Sequence, residues 1–134
     1  MAFDHDYWRH QTPTTWRERD LHWHCFSWQG TPPKDGDRRN PQLAVPPIEI
    51  KHWLLKPPTM LARAVHTPEE AADWLKDQPQ PPEPGAAVER ALHELRVGNN
   101  VIWGFWLPSQ AFTSIAVVGV PADQTPPAQC RHHP

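Results

Sequence analysis

Residues 101–120 have the sequence VIWGFWLPSQAFTSIAVVGV and carry no charged side chain. A polar stretch with a proline, at 108–110, separates two short runs that are rich in β-branched and aromatic residues. Apolar runs of this length, bounded by turn residues, are typical of strands, whereas a membrane span would not be broken in this way. The block therefore predicts a β-hairpin with strands at 101–107 and 113–120.

Both faces of both predicted strands are apolar. In the first strand one face carries Val101, Trp103 and Phe105, and the other carries Ile102 and Trp106. In the second strand one face carries Ile115 and Val117, and the other carries Ala116 and Val118. Strands that are apolar on both faces are covered on both faces. We therefore expect a second cover, from the N-terminal segment, a long loop or another subunit, on the side that helices leave open.

Two helices are predicted immediately before this hairpin. Thr67 can act as N-cap, Pro68 fits the first helical position, and Glu70 completes a capping box, which predicts a helix over 68–78. A second helix is predicted over 85–97, where apolar residues follow the i, i+3, i+4, i+7 spacing. Gly98 is the expected residue after its C-terminus.

Further strands are predicted nearer the N-terminus. Alternating patterns predict strands at 21–28 (LHWHCFSW) and 48–55 (IEIKHWLL), and 60–65 is a shorter third. The segment 30–47 between the first two is a predicted loop, rich in Pro, Gly, Asp and Arg. The fold class is therefore α+β: a largely antiparallel sheet of about five strands, in chain order β-β-β-α-α-β-β, with two helices on one face.

The 134 residues fit one domain, over 21–120. Residues 1–20 form an aromatic and polar segment predicted to pack on this domain, and 121–134 have the composition of a tail. The start of the chain has neither the basic nor the apolar region of a signal peptide. The cysteines Cys25 and Cys130 are too few and too far apart for a disulfide scaffold. We expect a cytoplasmic protein with free thiols and no membrane association.

The net charge of −2 argues against a nucleic-acid partner, which would require a basic surface. Eight tryptophans are more than a core of this size usually needs. We interpret Trp8, Trp16, Trp28 and Trp106 as candidates for a partly exposed binding surface, since exposed tryptophans anchor protein interfaces. The alternative for the N-terminal ones is that they close the open face of the sheet.

His22 and His24 are the best candidates for metal ligands, because alternate positions of a strand project to the same face. Zinc or another divalent metal is the corresponding cofactor. A third ligand could come from His52, Cys130, His132 or His133. The alternative is that the two histidines are half-buried and bonded to the backbone or to a carboxylate.

No motif of known catalytic chemistry occurs in the sequence. A nucleophilic Cys25 is disfavoured, because alternation places it opposite His22 and His24. The catalytic residues are therefore unknown. The sequence favours a non-catalytic binding or assembly module that docks to itself, as a homodimer, or to another protein through an aromatic, apolar sheet surface. The alternative is a small enzyme with a pocket over His22, His24 and Trp28, with or without a metal.

Overall fold

A four-stranded antiparallel sheet organises the protein. The computed structural model describes residues 13–40, 43–81 and 86–121. The strands are β1 (Leu21–Gly30), β2 (Leu61–Val65), β3 (Val101–Trp106) and β4 (Phe112–Pro121), in the spatial order β2-β1-β4-β3. The predicted α+β class and the C-terminal hairpin are confirmed.

The helices comprise two longer and several short elements. The longer ones are α3 (Pro68–Lys76) and α4 (Ala87–Arg96), which confirms both predicted helices. The short ones are α1 (Thr15–Glu18) and α2 (Asp35–Arg38), with 3₁₀ helices at Ile50–Leu55 and Pro58–Met60.

The predicted Thr67 cap and the predicted position of Gly98 are also confirmed, although the helices are shorter than the predicted 68–78 and 85–97. The Glu70 N–H donates to the Thr67 hydroxyl at 3.1 Å, so Thr67 caps α3. After α4, the Gly98 N–H donates to the Leu95 carbonyl at 3.0 Å and the Asn99 N–H to the Glu94 carbonyl at 2.9 Å. These two bonds form a Schellman motif, which needs a positive φ that glycine supplies without strain. The φ of Gly98 is 88°.

The helical face of the sheet, defined by Trp23, Cys25 and Val117, carries the larger core cluster. Leu75 of α3 and Leu95 of α4 pack against it and are fully buried. Burying large apolar side chains on both partners is what holds a helical layer on a sheet. The two predicted helices therefore do lie together on one face.

The predicted strand at 48–55 is wrong. Its central part, Ile50–Leu55, is a 3₁₀ helix, so the described residues form four strands rather than five. The alternating apolar residues of this segment do not form one buried face, because Ile48 and Ile50 remain exposed while Trp53 is buried. Trp53 stacks on Phe26 of β1, with ring centroids 5.0 Å apart. Packing against the sheet therefore accompanies a local structure that differs from the strand preference of the sequence.

This 3₁₀ helix supplies a second cover for β4, one of the two strands of the hairpin. The distal face of the sheet, defined by Phe26, Ala116 and Val118, packs against Trp53 and all four side chains are buried. The cover therefore comes from the segment that follows the predicted loop, over the strands β1 and β4.

The loop before the 3₁₀ helix is held by two cations. Arg38 donates to the carbonyls of Pro46 and Pro47 at 3.3 and 3.2 Å. The Lys56 ammonium group donates to the Leu43 carbonyl at 2.7 Å. Because Lys56 is buried, desolvation lowers its pKa below the usual value. These contacts fix the loop and give Lys56 a structural role.

The predicted N-terminal segment and C-terminal tail fall mostly outside the described residues, which begin at 13 and end at 121. Among the described helices, none combines the length and the apolar character that crossing a membrane requires.

Candidate functional site

The strand β3 lies at one edge of the sheet and pairs only with β4 among the described strands. A tight turn joins the two: the Leu107 N–H donates to the Ala111 carbonyl at 2.8 Å, and the Gln110 N–H donates to the Leu107 carbonyl at 2.9 Å. The left-handed conformation of Gln110, with a φ of 68°, closes this turn. The hairpin thereby fixes the register of β3 on β4.

This register determines which backbone groups of β3 point away from the sheet. Bonded and non-bonded pairs alternate along an antiparallel ladder. Since Leu107 bonds to Ala111, the odd-numbered residues of β3 direct their N–H and C=O groups toward β4. Ile102, Gly104 and Trp106 consequently direct theirs outward, and all three residues are exposed. The edge is a row of backbone donors and acceptors.

A groove of about 600 Å³ runs between this edge and α4. Every residue from Asn100 to Phe105 lines it, whichever face its side chain occupies, so the groove follows the edge of the strand itself. The opposite wall is formed by Pro81 and by Ala87, Arg90, Ala91 and Glu94 of α4. The groove is therefore bounded by the strand on one side and by the helix on the other.

The distal side of the same edge carries an aromatic patch, formed by the exposed Ile102 and Trp106 and the half-buried Phe112. Ile102 is 40% exposed and Trp106 is 60% exposed. The rings of Trp106 and Phe112 meet edge to face, with centroids 5.6 Å apart. Gly104 leaves room for Phe112, because a Cβ there would lie 3.1 Å from the ring. The 3₁₀ helix, which packs over β1 and β4, leaves these side chains of β3 in solvent.

The four predicted surface tryptophans occupy different environments. Trp8 lies outside the described residues. Trp16 of α1 is half-buried and packs against the core cluster of the helical face, and Trp28 packs in the same way on the distal face. Trp106 combines high exposure with a position on the free edge.

The structure brings His22 and His24 together on the distal face, near the start of β1. Their Nε2 atoms are 3.1 Å apart, and the ring centroids are 5.0 Å apart. His24 is fully buried between Val118 and Ala64, its partners across the ladder. In the described part of the chain, no set of three or more His, Cys, Asp or Glu side chains is arranged to hold a metal. The metal assignment stays a prediction.

The predicted enzyme pocket and the observed groove lie in different places. Of His22, His24 and Trp28, none lines the groove. Cys25 projects into the core of the helical face, where burial raises the pKa of its thiol to about 12 despite the opposing effect of Arg63. Its thiol is therefore protonated at neutral pH and is not an activated nucleophile.

Sequence reasoning missed the groove wall on α4. Arg90 and Glu94 have the i, i+4 spacing that puts both on one helix face, and the apolar stripe of α4 predicts that this face borders the core. Only the strand order together with the position of α4 shows that this face borders the β3 edge. No protein-family model, curated protein or solved structure matches the chain.

Proposed function

We propose that this protein is a binding module that accepts an additional β-strand from a protein partner at the free edge of β3. The observation that carries the proposal is the outward row of backbone groups at Ile102, Gly104 and Trp106, which no described strand satisfies. Proteins usually blunt such an edge with charges, prolines or bulges. The strand β3 has none of these.

The surroundings of the edge support strand addition. An added strand places successive side chains alternately on the two faces of the sheet. On one side it would find the groove beside α4, and on the other the patch of Trp106, Ile102 and Phe112. Main-chain bonds supply affinity in this mode of recognition, and the side-chain sites supply selectivity. We infer a partner segment that is extended, uncharged and apolar at alternate positions.

Selection from a displayed library of linear peptides tests this function. We expect selected peptides to lack charge over the bound stretch and to lose binding to Ile102→Glu, which puts a charge on the edge. The matched control is Ile50→Glu, because Ile50 is 41% exposed, as Ile102 is 40%, but lies on the 3₁₀ helix. Peptides that bind both variants equally, or a selection on the monomeric protein that yields none, would contradict strand addition at β3.

A second candidate function is a divalent-metal site at His22 and His24. Two nitrogens bound to one tetrahedral zinc at ~2.0–2.1 Å lie roughly 3.3 Å apart, close to the observed 3.1 Å. A metal at a hundredfold excess over its dissociation constant should raise the unfolding free energy by about 2.7 kcal/mol. Zinc, nickel and copper titrations followed by thermal unfolding test this, with His24→Gln as the loss variant and His93→Gln on α4 as control. A melting temperature that no metal moves contradicts the site.

A further inference from the structure

We propose that the strand added to β3 is β3 of a second copy of this chain, paired antiparallel about a two-fold axis between the two Gly104 residues. This inference rests on the proposed function, because it names the partner of the same edge. It makes the protein a homodimer whose two sheets join into one.

The backbone register selects this axis. With Gly104 opposite the partner's Gly104, Ile102 of each copy lies opposite the partner's Trp106. These are the residues whose N–H and C=O groups point outward, so each group meets a complementary one across the axis. If the register of the two β3 strands shifts by two residues, one end of each strand extends beyond the other strand. The outward N–H and C=O groups at that end are then left unpaired.

The side chains are self-complementary in the same register. On the distal face, Ile102 stands opposite the partner's Trp106, and on the helical face Trp103 stands opposite the partner's Phe105. Pairs between aromatic residues, and between aromatic and β-branched residues, are the favourable neighbours across strands. Gly104 at the axis leaves space between the two indoles of the distal face.

The charges also favour a second copy. No charged residue occurs in β3, so pairing it with itself brings no charge against the aromatic rows, where desolvation would be costly. The groove wall carries one charge of each sign, Arg90 and Glu94. A two-fold axis makes the two α4 helices antiparallel, the orientation in which opposite charges of the two walls can face each other.

Pairing along one short strand buries less surface than a permanent dimer does, and small interfaces are typically transient. We therefore expect a concentration-dependent equilibrium between monomer and dimer. Sedimentation velocity over a range of concentrations measures it. Ile102→Glu should shift the midpoint to at least tenfold higher concentration, and Ile50→Glu should leave it in place.

Thiol cross-linking tests the register. Opposed Cα atoms in a bonded antiparallel pair lie ~5.5 Å apart, within reach of a short bismaleimide. In a Cys130→Ser background, Gly104→Cys should give a covalent dimer. Gly36→Cys is the control, since a Cβ there meets nothing within 4 Å. Cys25 is buried with a pKa of about 12 and stays unreactive. Thermal unfolding checks that Phe112 accommodates the new Cβ.

The outcomes separate the two proposals. A monomer at every concentration that still binds selected peptides at the edge overturns the second copy as partner and leaves strand addition standing. A monomer that binds no peptide overturns both. A dimer that survives Ile102→Glu, or that cross-links equally through Gly36→Cys, uses another surface and overturns pairing through β3. If Gly104→Cys does not fold, the comparison of Ile102→Glu with Ile50→Glu decides.

Discussion

The two edges of the sheet differ in how they are protected against a further strand. At the β2 edge, Arg63 occupies the middle of a five-residue strand, and the register skips Ala62 where Cys25 pairs with Arg63 and Phe26 with Leu61. At the β3 edge there is no charge and the register with β4 is unbroken. A charge and a bulge are two of the means by which proteins prevent edge pairing. Among the described strands, β3 is therefore the less protected edge.

A second difference concerns what covers each side of the sheet. The 3₁₀ helix covers the distal face over β1 and β4, where Phe26 and Val118 are buried. Over β3, Ile102 and Trp106 remain exposed. Apolar surface that the chain covers stabilises the fold, whereas we propose that the apolar surface exposed beside the β3 edge is the interaction site. Substitutions in the two regions should therefore act on different equilibria.

The largest effect is expected for Trp53→Ala, which removes the buried side chain through which the 3₁₀ helix packs on the distal face. Trp53 is 2% exposed and stacks on Phe26, so its loss should lower the unfolding free energy by about 3–5 kcal/mol. Denaturant unfolding measures this. Leu55→Ala on the same helix, where the side chain is 59% exposed, should cost less than ~0.5 kcal/mol. Equal losses would mean that the 3₁₀ helix is not the cover.

Trp106→Ala should act on association and leave the fold intact. An exposed tryptophan that anchors an interface contributes about 2 kcal/mol or more, roughly a thirtyfold change in the dissociation constant. Sedimentation velocity measures association, and denaturant unfolding checks the fold. Leu55→Ala serves again as control, since Leu55 and Trp106 are 59% and 60% exposed. If both variants associate alike, the aromatic patch is not the interface.

Thr67→Ala should lower the stability of the helical layer and leave association at the sheet edges unchanged. The hydroxyl accepts the Glu70 N–H at 3.1 Å, and loss of such a cap costs about 1 kcal/mol. Denaturant unfolding should show this loss, while the monomer–dimer midpoint stays unchanged. An association that weakens together with stability would show that the interface depends on α3.

The smallest effect is expected for Arg63→Val at the β2 edge. The skipped residue Ala62 remains, so the edge keeps one of its protections after the charge is removed. Association measured by light scattering should match that of the unmodified protein. Growth into larger assemblies would show that the single charge of Arg63 keeps this edge closed, and would weaken the contrast with β3.

The elements that local signals control were predictable. The Thr67, Pro68 and Glu70 pattern specifies a helix start through bonds within one turn, and Gly98 specifies its counterpart at the end of α4. The hairpin was predictable because its strands are close in sequence. The 3₁₀ helix was not, since the alternation over 48–55 fits a strand and the deciding contact, Trp53 on Phe26, spans distant parts of the chain.

The candidate site was predictable only in part. Because both faces of the predicted strand 101–107 are apolar, the sequence indicates a surface that two helices cannot cover, and Trp106 is among the residues predicted to form a binding surface. The free edge depends on the strand order, which long-range pairing of β1 with β4 determines. The groove depends in addition on where α4 crosses β3, and no local pattern specifies that crossing.

The central position of β4 has a consequence for how the protein folds. The strand β4 pairs with both β1 and β3, and it is the last strand of the described chain. Nearly the whole domain therefore separates β1 from the strand that joins it to the hairpin, and closing so long a loop is entropically costly. Folds dominated by such non-local pairs cross their transition state slowly. Until β4 docks, β3 has neither a sheet to extend nor a fixed edge to offer.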